Sequence, residues 1–262
     1  MVSDSHALKH QALALFEYEA KHYATLRAQE SGFRDQLAIV LRMLDSRQGR
    51  ILDIGCAAGA EIPALREMHL RVVGLDFSAS MLRYALQRFS ADANVVFCQG
   101  DVEFVPFRSA SFDHVTCLGV MEYLPNYRPA LREISRVLRP GGLAIFSIPS
   151  RVSPYYLTTQ VSDLVVGPSW RALKRLAGRR TQPSRPTLGH SPNSCVPWEF
   201  RRLLRQFGME PHQSAFSNFF LHPLDRISPA GHDRLAAFLE RFSSSAIIGW
   251  TGSQYLVSAL KK

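Results

Sequence analysis

Residues 51–61, ILDIGCAAGAE, constrain this chain more than any other stretch. An apolar run carries an acid, Asp53, and then turns on Gly55 and Gly59 into a helical pattern. A strand, a tight Gly-rich turn and a helix N-terminus, taken in that order, present backbone N–H groups to a ligand.

From there the pattern alternates. Strands are expected at 51–55, 70–76, 94–99, 113–119 and 142–148, with helical stretches between them. Ser78 or Ser80 can N-cap the helix that holds Met81, Leu82 and Ala85. Leu131, Ile134, Val137 and Leu138 define another helix, which Pro140, Gly141 and Gly142 stop. Such alternation implies right-handed crossovers and a parallel sheet with helices on both faces. Ligands of such sheets bind at the carboxyl ends of the strands, near the switch in strand order.

Residues 6–46 read as helical. Leu37, Val40, Leu41 and Leu44 form an apolar stripe, and Leu15, Phe16, Tyr18 and Tyr23 suit an earlier helix, with Gly32 as the break. This pair either closes over the ligand site or caps a sheet edge. The rhythm lapses over 151–194, which is rich in Pro, Ser and Arg and has one acid, Asp163. A helix returns at Pro197, with Phe200, Leu203, Leu204 and Phe207 on one face and Gly208 at its stop. A strand at 209–216, a helical insertion around Leu235 to Phe242 and a last strand through Tyr255, Val257 and Ala259 complete the chain. The expected organisation is a helical cap (1–46), a core (47–150), a variable insertion or lid (151–194) and a C-terminal part of the core sheet (195–262).

Composition narrows the class. With 262 residues, 46% of them hydrophobic, the chain can bury the core of one α/β domain with additions. Its first residues, MVSDSHALKH, are polar, and no apolar run reaches the roughly 18 residues of a membrane span, so a soluble, cytoplasmic protein is expected. Cys56, Cys98, Cys117 and Cys195 are widely spaced and suggest packing residues rather than disulfides or a metal site. A formal net charge of +9 suits an anionic partner without choosing one.

A dinucleotide fold also has a Gly-rich turn after its first strand and an acid about 20 residues on. Its fingerprint, G-x-G-x-x-G, lets a pyrophosphate approach the backbone. Here only Gly55 and Gly59 are present, with alanines at 57 and 58, and Asp53 would repel a pyrophosphate. The same acid could help hold a cationic ligand head, so the expected ligand lacks phosphates and carries positive charge.

The stretches ILDIGCAAGAE, VVGLDFS (72–78), GDVEFVPF (100–107), SFDHVTCLGVMEYLP (111–125) and LREISRVLRPGGLAIFSIPS (131–150) follow one another along the chain. Together they resemble the motifs of the class I S-adenosylmethionine-dependent methyltransferases, of the small-molecule group that includes the ubiquinone and menaquinone C-methyltransferases. The resemblance implies a Rossmann-like seven-stranded, mostly parallel sheet whose last strand is antiparallel. It implies S-adenosylmethionine as cofactor, with Asp76 on the ribose hydroxyls, Phe77 or Met81 on the adenine face, and Asp101 and Val102 at the adenine edge. Asp53, Gly55, Cys56, Ala57 and Gly59 would shape the methionine pocket, and Leu118, Val120, Met121 and Tyr123 would line the reactive end. Tyr23 and Arg27 would contact the ligand carboxylate.

Methyl transfer from a sulfonium is an in-line displacement, so the protein must align acceptor and methyl, exclude water and supply a base for a hydroxyl acceptor. Tyr123 stands where the family often has a His. The remaining base candidates are His190, His212, His222, Glu122, Tyr155 and Tyr156, while His114 reads as structural. LGVMEYLP lacks the Asn/Asp-Pro-Pro-aromatic pattern of amino-methylating enzymes, and no Pro-Cys pair suggests attack on a pyrimidine, so nucleic acid is not the expected substrate. The acceptor is expected to be a hydrophobic or phenolic small molecule or a lipid-like intermediate, with O-methylation favoured. The basic stretch 151–190, with Arg171, Lys174, Arg175, Arg179 and Arg180 beside Trp170 and several leucines, suits either a solvated lid or contact with a membrane surface or lipid-linked acceptor.

Overall fold

The computed structural model describes residues 17, 20, 23, 27, 30–154, 156, 193–219, 235, 238, 239 and 252–262. Most of the first helix of the N-terminal pair, most of the 151–194 segment with Tyr155 and its basic residues from Arg171 to Arg185, and both His190 and His222 lie outside the described residues. So does most of the insertion around Leu235 to Phe242, although Leu235, Phe238 and Leu239 are helical.

Seven strands form one sheet: β1 (Arg50–Ile54), β2 (Arg71–Asp76), β3 (Val95–Gln99), β4 (Phe112–Leu118), β5 (Leu138–Pro149), β6 (Met209–Ser217) and β7 (Gln254–Lys261). Their order is β3-β2-β1-β4-β5-β7-β6. β1 to β5 pair in parallel, and β7 is antiparallel to both of its neighbours. The chain leaves β1 in one direction across the sheet and returns to its other side with β4, which puts the switch point between these two strands.

Successive side chains of each strand point to opposite faces. Leu52, Val73, Ala144 and Phe146 therefore join one apolar layer, while Ile51, Val72, Leu143 and Ile145 join the other. Helix α1 (Ser31–Leu44) covers the second layer with Ile39, Val40, Met43 and Leu44, beside α2 (Ile62–Glu67). Helices α4 (Tyr127–Val137) and α5 (Pro197–Gln206) cover the first. There Phe200 meets Tyr127 and Phe146 edge-on, at 5.9 and 5.7 Å between ring centroids, the arrangement that aromatic quadrupoles favour. Helix α3 (Ala79–Phe89) starts at Ser78, whose hydroxyl accepts the Met81 N–H, so Ser78 rather than Ser80 is the cap.

Two expected boundaries shift. Gly32 lies inside α1, and the break falls at Glu30, which is extended. Pro140, Gly141 and Gly142 do not separate α4 from its strand: Leu138 is already extended, and the three residues form an irregularity within β5, where pairing jumps from Phe112–Leu138 to His114–Leu143. Gly208, with φ +71, follows α5 as expected. His114 is buried with Nε2 3.1 Å from the Gln48 carbonyl, a structural role, and burial lowers its pKa. All four cysteines are free. No described helix is long and apolar enough to cross a membrane.

Candidate active site

A cavity of about 270 Å³ opens at the carboxyl edge of the sheet, over the switch point. Its walls run from Gly100, Asp101 and Val102 after β3, past Asp76, Phe77 and Met81 after β2, to Gly55, Ala57 and Glu61 after β1. Leu118 to Val120 and Glu122 to Leu124 follow β4 and close the far side. Tyr23, Arg27 and Gln36 roof it from the N-terminal helices.

The turn after β1 is locked by its neighbours. Gly55 adopts φ +75, and a Cβ there would collide with Val120 Cγ2, so the turns after β1 and β4 meet only because residue 55 has no side chain. Ala57 accepts a left-handed φ of +45 and donates its N–H to Asp76 Oδ2 at 2.8 Å. Asp76 Oδ1 takes the Ser78 N–H, also at 2.8 Å. Burial raises the pKa of Asp76, against these backbone donors, which lower it. Each oxygen of an ionised carboxylate retains a lone pair beyond these bonds. Asp101 Oδ1 accepts the Glu103 N–H at 3.0 Å and holds the loop after β3.

Of the expected cofactor residues, Tyr23, Gly55, Ala57, Asp76, Phe77, Met81, Asp101, Val102, Leu118 and Tyr123 line the cavity. Asp53, Cys56 and Gly59 lie behind its wall. Asp53 is buried and takes the Thr116 hydroxyl at 2.9 Å, with its other oxygen unpartnered among the described residues. Desolvation raises its pKa, and the nearby Asp76 charge adds to the rise. Cys56 packs its sulfur under Gly74, and burial pushes its thiol up. Gly59 makes room for Phe89 and Ile62, which places it in the packing of α2 and α3 and not in the ligand wall. Among the other base candidates, His212 is exposed on β6 and does not line the cavity.

Several wall residues had no assigned role in the sequence. Glu61 ends the glycine-turn motif, and desolvation raises its carboxyl pKa, with Asp53 adding to the effect. Ser147 on β5 accepts the Gly119 N–H at 2.9 Å and fixes the turn after β4. Asn218 follows β6, and Gln254 opens β7. Because β7 runs antiparallel, its first residue lies at the edge where the other strands end. A rule that looks only past strand ends therefore finds Asn218 and misses Gln254.

The remaining acid is Glu122, in the 3₁₀ turn Met121–Tyr123, 6% exposed, with Oε2 unpartnered among the described residues. Burial pushes its pKa to about 7, against its own backbone N–H and Arg27. Arg27 is the one cationic side chain among the described wall residues.

Residues 52–146 match the methyltransferase domain family model, Methyltransf_11. The chain is 34% identical over 139 residues to a malonyl-[acyl-carrier protein] O-methyltransferase from Enterobacter lignolyticus, across 53% of either protein. It is 31% identical over 153 residues to a demethylmenaquinone methyltransferase from Staphylococcus aureus, across 55% of this chain and 62% of that one. The chain thus spans between about half and three-fifths of the length of these relatives. In fold it is similar to a SAM-dependent methyltransferase from Thermotoga maritima, with a TM-score of 0.63 and 18% identity over 95% of this chain and 99% of that one. In the order of the sheet, the turn after β1 and these matches, the core of this chain is similar to class I S-adenosylmethionine-dependent methyltransferase domains.

Proposed function

We propose that the chain binds S-adenosylmethionine in the cavity at the switch point and transfers its methyl group to a small acceptor, with transfer to oxygen of a hydrophobic or phenolic molecule favoured. The observation that carries this reading is the distribution of charge along the wall. Asp76 offers two oxygens beside the turn after β1, as a ribose diol requires, and Asp101 stands one strand further out, where the adenine would lie. At the opposite end Arg27 faces Glu61 and Glu122. A methionine head carries one carboxylate and one ammonium, and the adjoining sulfonium adds a second positive charge. One cation and two acids are the complementary set.

The cofactor supplies a methyl group on a good leaving group. The residues of the chain hold it and keep water out. Phe77, 42% exposed at the mouth, offers a ring face to the adenine, and the buried Met81 lines the same wall. Tyr123 stands with Glu122 on the side past β4, where the acceptor enters in this reading. Asn193, at the end of the 151–194 segment, donates its N–H to the Glu122 carbonyl at 3.2 Å and its amide to the Leu124 carbonyl at 2.7 Å. That stitching supports 151–194 as part of the acceptor pocket. Its basic residues would meet a lipid-linked or otherwise anionic acceptor there, and His190 and His222 remain proposed bases outside the described residues. The curated relatives are named for different acceptors, which fits an acceptor choice made outside the shared core.

Titration calorimetry with S-adenosylmethionine, followed by transfer of labelled methyl to a panel of phenols, quinols and acyl thioesters, tests the reading. Micromolar binding with label appearing in an acceptor is expected. Absence of binding rejects the site, and binding without transfer to any acceptor makes the chain a cofactor-binding protein instead.

A further inference from the structure

Glu61 and Glu122 face one cavity from opposite sides, after β1 and after β4. Glu61 is the N-cap residue of α2 but makes no side-chain capping bond, and Glu122 contributes its backbone to the 3₁₀ turn after β4, so neither carboxyl group serves as a cap. Glu122 is buried with one oxygen unpartnered among the described residues, an arrangement that costs free energy unless a ligand supplies the partner. The groups around them are few. Glu61 feels Asp53 and Asp76 from beneath and Arg27 from the roof, and Tyr23 lies beside it. Around Glu122 stand Arg27 above, Cys117 behind, and Tyr127 and Cys195 on its outer side. Arg27 is the one charge of opposite sign among these, and it is shared with Glu30 at 2.7 Å. Among the described residues the two acids therefore share a single counter-charge, Arg27, with each other and with Glu30.

We propose that Glu61 and Glu122 read the charge of the ligand: they give up protons when the cationic methyl donor binds and hold them when the neutral-sulfur product does. The inference rests on the site reading above and adds a linkage to it. S-adenosylmethionine brings an ammonium and a sulfonium, whereas S-adenosylhomocysteine brings the ammonium alone. The donor therefore ionises more carboxyl groups than the product, and its affinity rises more steeply with pH. After transfer the sulfur loses its charge and a carboxylate loses its counter-ion, so a proton is taken up with the product still bound, and product release returns the rest. Desolvation supports the direction, since it raises the pKa of both acids and leaves them part-protonated near neutral pH.

The test is titration calorimetry of S-adenosylmethionine, S-adenosylhomocysteine and sinefungin, which places an amine where the sulfonium stands. Each is measured at pH 6, 7 and 8, in phosphate and in Tris, whose different ionisation enthalpies count the protons exchanged. Expected at pH 7 is net proton release with S-adenosylmethionine and sinefungin, smaller with S-adenosylhomocysteine. Donor affinity should rise by up to about tenfold per pH unit for each proton released, and product affinity by less. Glu61→Gln and Glu122→Gln should each lower the proton count and flatten the donor's slope, while circular dichroism reports that they remain folded. Equal proton counts and equal slopes for donor and product overturn this inference and leave the site reading standing. Failure of all three ligands to bind overturns the site reading itself.

Discussion

Asp76 joins three elements with one carboxylate: Oδ2 takes the N–H of Ala57 from the turn after β1, and Oδ1 takes the N–H of Ser78 at the start of α3, each at 2.8 Å. The acid that the family pattern assigns to the ribose is thus also the clamp of the turn that would hold the methionine part. Ala57, in a left-handed conformation, depends on that clamp.

Asp76→Ala should therefore act twice. Two charge-assisted bonds to a ribose diol are worth about 1.5–3 kcal/mol each, so donor affinity should fall by at least about 100-fold. The freed amides should also lower the melting temperature by several degrees. Asp76→Asn should rescue little, because its NH₂ would confront one of the two N–H donors. Calorimetry on the folded variants decides, and unchanged affinity rejects the ribose assignment.

Gly55→Ala should be harmful for a reason unrelated to charge. The added methyl meets Val120 Cγ2, and the backbone stays at φ +75. Shortening the opposing side chain with Val120→Ala removes the collision but leaves the φ. The double variant should recover part of a stability loss of about 1–3 kcal/mol and no more. Urea denaturation of both variants would measure this, and full recovery would show that conformation at residue 55 costs nothing.

How much of this was legible in the sequence follows from what each signal encodes. The buried runs of β1, β2 and β4 are short, mainly apolar and bounded by polar or turn residues, a local signal, so these strands fall within a residue of their expected ends. The early start of β5 at Leu138 was hidden, because Pro140-Gly141-Gly142 spells a helix stop whether the chain turns away or bulges within a strand. In the motif itself, Gly55 and Gly59 look equivalent, yet one meets the turn after β4 and the other a helix packing contact. Only the partner across space separates them. Glu61 and Ser147 were invisible as site residues for the same reason, since their role arises from which strands become neighbours.

Glu122 makes ligand-free stability depend on pH in a direction opposite to ordinary acid denaturation. Its folded pKa, about 7, lies above the unfolded value of roughly 4.3. The folded state then holds the proton more tightly, so the contribution is fully present below about 4.3 and is lost as pH rises through 7. Glu122→Gln cannot ionise and should melt higher than the parent at pH 8, with the gap narrowing toward pH 5. Differential scanning calorimetry across that range would show it. A gap that stays constant with pH would mean that Glu122 ionises freely in the fold.

Asp113 provides the contrast, at the opposite edge of the sheet from the cavity. It accepts the Arg50 N–H at 2.8 Å and the Arg139 guanidinium at 2.7 Å, pinning the starts of β1, β4 and β5. Burial works against its ionisation, but the Arg50 N–H and Arg139 outweigh it, and its pKa lies below the usual carboxylate range. The Arg139 side chain is 49% exposed, so solvent screens the ion pair, and Arg139→Ala should cost less than about 1 kcal/mol. Asp113→Ala strips the acceptor from a backbone amide and should cost about 1–3 kcal/mol near neutral pH. Because the folded pKa is lowered, this contribution is present above roughly pH 3.9 and fades as pH falls through the folded value. Donor affinity should be unchanged in both variants, since neither residue lines the cavity. Urea denaturation at pH 7 and pH 3.5 with calorimetry of the donor checks all three statements, and a loss of affinity in Asp113→Ala would show that the two edges of the sheet are coupled.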